Sequence, residues 1–158
     1  MTPYTQIQTT QKARIPIHVI AARQDLLPSY ASTGASGADV RANIEHDIII
    51  KAGTLELIPT GLVFEIPTGF EIQVRPRSGL ALKHQITVLN TPGTIDSDYR
   101  GEVKVILMNL GKVDFTVTPL MRIAQLVIAE VATADFICTD ALSQSERAAG
   151  GFGHTGLQ

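Results

Sequence analysis

Cysteine occurs once in the 158-residue chain, as Cys138, so no intrachain disulfide is possible. A lone thiol suits a reducing compartment. Basic charge is not in excess: 13 Lys and Arg stand against 15 Asp and Glu, a formal net charge of -2. A nonspecific nucleic-acid binder needs surplus cations to neutralise a phosphate backbone, which argues against that class. No apolar run approaches the roughly 20 residues needed to cross a bilayer. Residues 1–14 lack the hydrophobic centre of a secretory signal. The expected location is the cytoplasm, with no membrane and no nucleic acid as partner. The four histidines, His18, His46, His84 and His154, are scattered without metal-ligand spacing. There is no CxxC pair, no Walker-type glycine loop, no Ser-His-Asp order and no internal repeat. A metal site held directly by the protein is therefore not expected.

What the chain does contain is period-two patterning. Its 44% hydrophobic and 18% charged residues are ordinary for a globular protein, and its length fits one domain with a real core. Phe70, Ile72 and Val74 alternate with Glu71, Gln73 and Arg75, and Val103, Val105 and Leu107 alternate with Glu102, Lys104 and Ile106. Further short runs at 15–20, 38–42, 48–50, 54–58, 62–66, 114–117 and 123–131 are broken by Gly, Pro, Asn or Asp. Many short strands at close spacing predict an all-β sandwich or barrel, a distorted jelly roll. Only 78–85 invites a short helix, with Ser78 well suited to cap it. The expected organisation is a loose polar segment 1–13, a core 14–142, and a glycine-rich mobile arm 143–158.

Five segments carry the chemistry. Residues 90–101, NTPGTIDSDYRG, lie between two apolar runs and read as a β-hairpin turning at Pro92-Gly93. Asp96, Asp98, Tyr99 and Arg100 crowd into it. Ordered backbone groups there could meet the edge of a flat heterocycle, a fixed carboxylate could act as general base, and the ring could support a sugar. The plainer alternative is a polar turn with solvated charges. Pro76-Arg77-Ser78-Gly79-Leu80 joins a strand to the short helix; it is either a phosphate cradle with Arg77 as forked cation or a plain helix cap beside a surface arginine. Ala35-Ser36-Gly37-Ala38-Asp39 enters a strand, where Asp39 either holds a metal-bound water or closes an Asx turn. Arg122-Ile123-Ala124-Gln125-Leu126 lies in a strand, and period two sends Arg122 and Gln125 to opposite faces. Gln125, within an apolar run, needs a hydrogen-bonding partner. Last, residues 147–156, RAAGGFGHTG, bracket one aromatic with glycines. They are either low complexity or a closing arm, with Phe152 over a base and Arg147 and Thr155 on phosphates.

Together, ASGADVRA at 35–42, PRSGLA at 76–81, NTPGTIDSDYRGEVKV at 90–105, RIAQLV at 122–127 and RAAGGFGHTG at 147–156 resemble the five ordered motifs of the homotrimeric all-β dUTPases. The resemblance implies hydrolysis of dUTP to dUMP and pyrophosphate, limiting uracil in DNA and supplying dUMP for dTTP synthesis. By resemblance, uracil enters the 90–99 hairpin through its backbone, with Asn90, Gly93, Thr94 and Ile95 among the substrate-binding residues. Tyr99 lies against the deoxyribose and excludes a 2′-hydroxyl. Asp96 activates the water that attacks the α-phosphorus. Arg77, Ser78, Gly79 and Gln125 bind phosphates, Arg77 and Gln125 also serving catalysis. Mg²⁺ is implied as cofactor, held by the triphosphate and waters with Asp39 as an outer partner. Arg147, Phe152, Gly153 and Thr155 of the arm complete the site, which the family builds from three subunits. Ala148 and His154 depart from the residues common in the family, glycine and serine. Competing readings are a dCTP deaminase or bifunctional relative, a nucleotide-binding regulator without catalysis, and a structural jelly-roll trimer. The deaminases use a glutamate where this chain aligns Ile106, and a hydrocarbon cannot take a proton.

Overall fold

The computed structural model describes residues 14–145 and 148–149. Period-two patterning becomes two facing antiparallel sheets. One runs β1 (His18–Ala21), β5 (Leu55–Glu65), β9 (Val103–Asn109), β7 (Ile86–Val88). The other runs β2 (Ser29–Tyr30), β3 (Ala38–Arg41), β11 (Arg122–Glu130), β6 (Phe70–Arg75), β8 (Gly93–Ile95). A small pair, β4 (Ile48–Ile50) with β10 (Phe115–Val117), closes one end. Alternation fixes which side chains turn inward. Ile72 and Val74 from one sheet meet Ile58, Leu62, Phe64, Val103, Val105 and Leu107 from the other in a single core. This is an all-β sandwich of jelly-roll type, as expected. No helix among the described residues is long and apolar enough to cross a membrane.

Local structure departs from the sequence expectation in four places. The runs at 54–58 and 62–66 are one 11-residue strand, β5, not two. Pro59 supplies no N–H and Gly61 sits at φ 67, so the strand bulges between Pro59 and Leu62 instead of ending. The Gly61 N–H is taken by Glu102 Oε1 at 2.8 Å. A Cβ at Gly61 would fall 2.6 Å from Asn43 Nδ2 and 3.0 Å from Ala22 Cβ, so only glycine fits.

The short helix, α1, spans Ser78–His84, but Ser78 does not cap it. Arg77 holds the cap position in extended backbone (φ -91, ψ 126), without a side-chain cap bond, and Ser78 is the first helical residue. Gln85 ends the helix in the left-handed region at φ 57, its N–H returning to Ala81 O at 3.0 Å.

Residues 90–101 are more than the turn of a hairpin. β7 and β9 do pair antiparallel, Val88 opposite Leu107. Between them, however, the chain crosses to the other sheet and lays β8 against β6, Gly93 opposite Val74 and Ile95 opposite Ile72. The peptide Thr91-Pro92 is cis. The segment is thus anchored in both sheets.

The fourth departure is in β11. Its pairing with β3 slips between Arg122 and Ala124, so that Ile123 and Ala124 are both buried in succession. One extra residue reverses the parity of a strand. Arg122 and Gln125, expected on opposite faces, therefore share one. Past β11, residues 131–145 form no strand or helix, and Phe136 there is 98% exposed.

Candidate active site

The bulge in β11 assembles a polar cluster on the outer face of the five-stranded sheet. Register places Gln125 directly between Asp39 on β3 and Arg75 on β6. Asp39 Oδ1 accepts from Arg77 Nε at 2.9 Å, and Oδ2 accepts from Arg122 Nη1 at 3.2 Å. Arg77 Nη1 also donates to the Arg122 carbonyl at 3.2 Å. Asp39 is mostly buried, its side chain 13% exposed, whereas Arg77 is 25% and Arg122 47% exposed. The Asp39 carboxylate meets two arginines rather than the backbone N–H that an Asx turn would use. Gln125 Nε2 donates to Pro76 O at 3.3 Å, tying the β11 glutamine to the strand that delivers Arg77. A side chain at Gly37 would collide with Gln125 Oε1, which explains the small-residue entry to β3. Ser78 and Gly79 are exposed at the first turn of α1, and a Cβ at Gly79 would meet nothing within 4 Å. Packing therefore does not demand glycine there, and open space lies beside the backbone. Two guanidinium groups around an open, polar surface suit a phosphate chain. Arg122 is the residue that sequence pattern misplaced, because the slip shows only in the pairing with β3.

The second half is the 90–101 segment. Asp96, Tyr99 and Arg100 hold it by local bonds: Tyr99 N–H to Asp96 O at 3.1 Å, and Arg100 Nη1 to Ser97 O at 2.7 Å and Tyr99 O at 3.0 Å. The Tyr99 hydroxyl donates to Glu102 O at 3.2 Å, and its ring covers Gly101 so closely that any side chain there would strike it. Asn90 lies against Gly93, where a Cβ would be 3.1 Å from Asn90 Nδ2 and 3.4 Å from Val74 Cβ. Thr94, Ile95, Asp96 and Tyr99 line a cleft of about 440 Å³ against Leu57, Lys104 and Ile106. Asp96 is exposed at this cleft, and Ile106 supplies it with hydrocarbon only. Asp98 and Arg100 turn away, lining a separate cleft of about 480 Å³ with His18 and Glu65. The four polar residues of this segment thus divide between two surfaces.

The two halves do not meet within one chain. On β6 the Asp39 row falls at Arg75, while Asp96 follows Ile95, which pairs with Ile72. Three strand spacings across and four residues along put Asp39 and Asp96 roughly 20 Å apart. Among the described residues no group of three or more His, Cys, Asp or Glu is placed to hold a metal ion. Arg147, Phe152, Gly153, His154 and Thr155 lie outside the described residues.

The fold is an all-β jelly roll that carries a cleft lined by Asp96 and Tyr99 and, at a separate edge, two arginines bridged by Asp39. Comparison with known proteins gives the family. The family profile described as dUTPase matches residues 24–156. Curated relatives named deoxyuridine 5'-triphosphate nucleotidohydrolase include that of Chlamydia pneumoniae, 60% identical over 131 residues, covering 82% of this chain and 90% of that protein. That of Chlamydia muridarum is 59% identical over the same shares of both chains. Among solved structures, the Staphylococcus bacteriophage 80alpha dUTPase with dUPNHPP superposes with TM-score 0.77 at 22% identity, covering 90% of this chain and 99% of that one. A dUTPase from phage phi11 of S. aureus, described with a structural Mg(II) ion, gives TM-score 0.72 at 17% identity, covering 82% and 99%. At such identities these structures speak for the fold. The chain belongs to the dUTPase family.

Proposed function

We infer that this protein hydrolyses dUTP to dUMP and pyrophosphate. Family membership and the names of relatives at 60% identity support the activity. The observation that carries the residue roles is the cleft in which an exposed carboxylate, Asp96, stands beside the Tyr99 ring. Uracil enters along the backbone of Gly93, Thr94 and Ile95, braced by Asn90. Cytosine would turn an amino donor toward a backbone donor, and an unpaired buried polar group costs about 1–3 kcal/mol. Tyr99 lies against the sugar. Asp96 takes a proton from the water that attacks the α-phosphorus, as pyrophosphate departs. Arg77 and Gln125, with Ser78 and Gly79, hold the phosphates, and Arg147, Phe152, Gly153 and Thr155 close over them.

Mg²⁺ bound to the triphosphate would neutralise charge that the arginines alone leave unbalanced. Asp39 would face that cation through water. A homotrimer supplies what one chain lacks, because the Asp96 cleft and the Asp39–Arg77 surface stand apart. Leu55, Leu57, Ile106 and Met108, cross-strand neighbours on the outer face of the β1–β5–β9–β7 sheet, offer an apolar surface for such assembly. We place the protein in the cytoplasm, a reducing setting that suits its lone cysteine.

The test is pyrophosphate release with dUTP, dCTP, dTTP and UTP offered separately. Release from dUTP alone is expected. Turnover of dCTP would favour the deaminase reading and make Ile106 the misread residue. Tight binding of a dUTP analogue without turnover would leave a regulator.

A further inference from the structure

Asp39 engages both arginines at once, one on each carboxylate oxygen. A carboxylate bridging two guanidinium groups offers each of them one anionic oxygen, as a phosphate chain would. We propose that Asp39 is a built-in stand-in for the phosphate chain, and that Arg122 is a phosphate-binding residue released when the chain displaces it. This rests on the reading of the cluster as the nucleotide's phosphate site.

The two arginines are not held alike. Arg77 keeps a second anchor on the Arg122 carbonyl and is the less exposed of the pair, 25% against 47%. Among the described residues the Arg122 guanidinium bonds to Asp39 alone, and its head stands nearer solvent. Arg122 is therefore the member that swings, and Arg77 the fixed half of the clamp. A phosphate chain arriving without a cation must expel Asp39 from between them and leave a mostly buried carboxylate unpaired, which is unfavourable. Binding is then reduced by the fraction of molecules in the closed arrangement.

The experiment is a double-mutant cycle in binding, measured by calorimetry with α,β-imido-dUTP in EDTA. Asp39→Asn should tighten binding about tenfold, as expected if the closed arrangement holds about nine-tenths of the molecules. In the Arg122→Gln background the same substitution should bring a clearly smaller gain, because only the Arg77 half of the bridge is left to be broken. Equal gains in both backgrounds would mean simple repulsion between Asp39 and the ligand, and would overturn the proposal. If Arg122→Gln does not fold, Arg122→Met closes the cycle, keeping the apolar stem and losing the cation. Failure of the unsubstituted protein to bind the analogue, with or without Mg²⁺, would instead overturn the nucleotide reading itself.

Discussion

Asp96 stands exposed at the rim of the cleft that Thr94, Ile95 and Tyr99 build, with hydrocarbon from Ile106 opposite. Glu102 also lines that cleft, but its oxygens are engaged by the Gly61 N–H and by Lys104, while Asp98 lines the other cleft. Asp96→Asn keeps size and hydrogen bonding but cannot accept the water proton. Turnover should fall by on the order of 10²–10⁴-fold while the Kd of a dUTP analogue changes little. Near-normal kcat in that variant would remove Asp96 from the base role. Tyr99 gives a second prediction. Its ring is pinned over Gly101 by its hydroxyl bond to Glu102 O, and so forms a rigid wall. Tyr99→Ala should raise kcat/KM for UTP relative to dUTP, read from parallel initial rates; an unchanged ratio would mean that the wall does not sense the 2′-hydroxyl.

At the scale of elements, two bulges break regular strand geometry, and the one in β11 sets the polar cluster while the one in β5 serves the fold. The β5 bulge depends on Gly61 at positive φ against Asn43 and Ala22. Gly61→Ala should destabilise the protein by about 1–3 kcal/mol, seen as a lowered Tm, while kcat of the remaining folded enzyme stays near that of the parent. An unchanged Tm would show that the strand relaxes freely. These bulges also mark where sequence reading stopped. Alternation at β6 and β9 made the sandwich legible, because a one-sided core enforces period two residue by residue. Pro59-Thr60-Gly61 reads locally as a break, and only pairing with β9 makes it a bend within one strand. Arg122 was misplaced for the same reason, since parity in β11 depends on a slip against β3 that no local propensity encodes. The Ser78 cap failed differently: helix ends are uncertain by a residue, and the extended Arg77 took the cap position. β2 and the buried Leu26 turn went unseen, being too short to show any period.

Across the whole molecule, the separation of the two half-sites has a consequence that can be counted. Asp96 and Arg77 lie toward opposite ends of β6, and roughly 20 Å divides the rows to which Asp96 and Asp39 belong. If each site in a closed ring takes Asp96 from one chain and Arg77 from another, two inactive variants can rescue each other. Asp96→Asn destroys only sites to which that chain gives the base. Arg77→Gln destroys only sites to which that chain gives the clamp. Mixed at equal amounts and reassembled at random, the two variants leave each site about one chance in four of drawing both intact residues. Recovered activity should therefore approach about a quarter of that of the unsubstituted enzyme at equal total protein. Each variant alone should remain inactive, and the double variant mixed with itself should recover nothing. A mixture that stays silent, although mass measurement shows exchanged chains, would place both residues in one chain's site. The roughly 20 Å separation would then have to close by rearrangement within the subunit instead of by assembly.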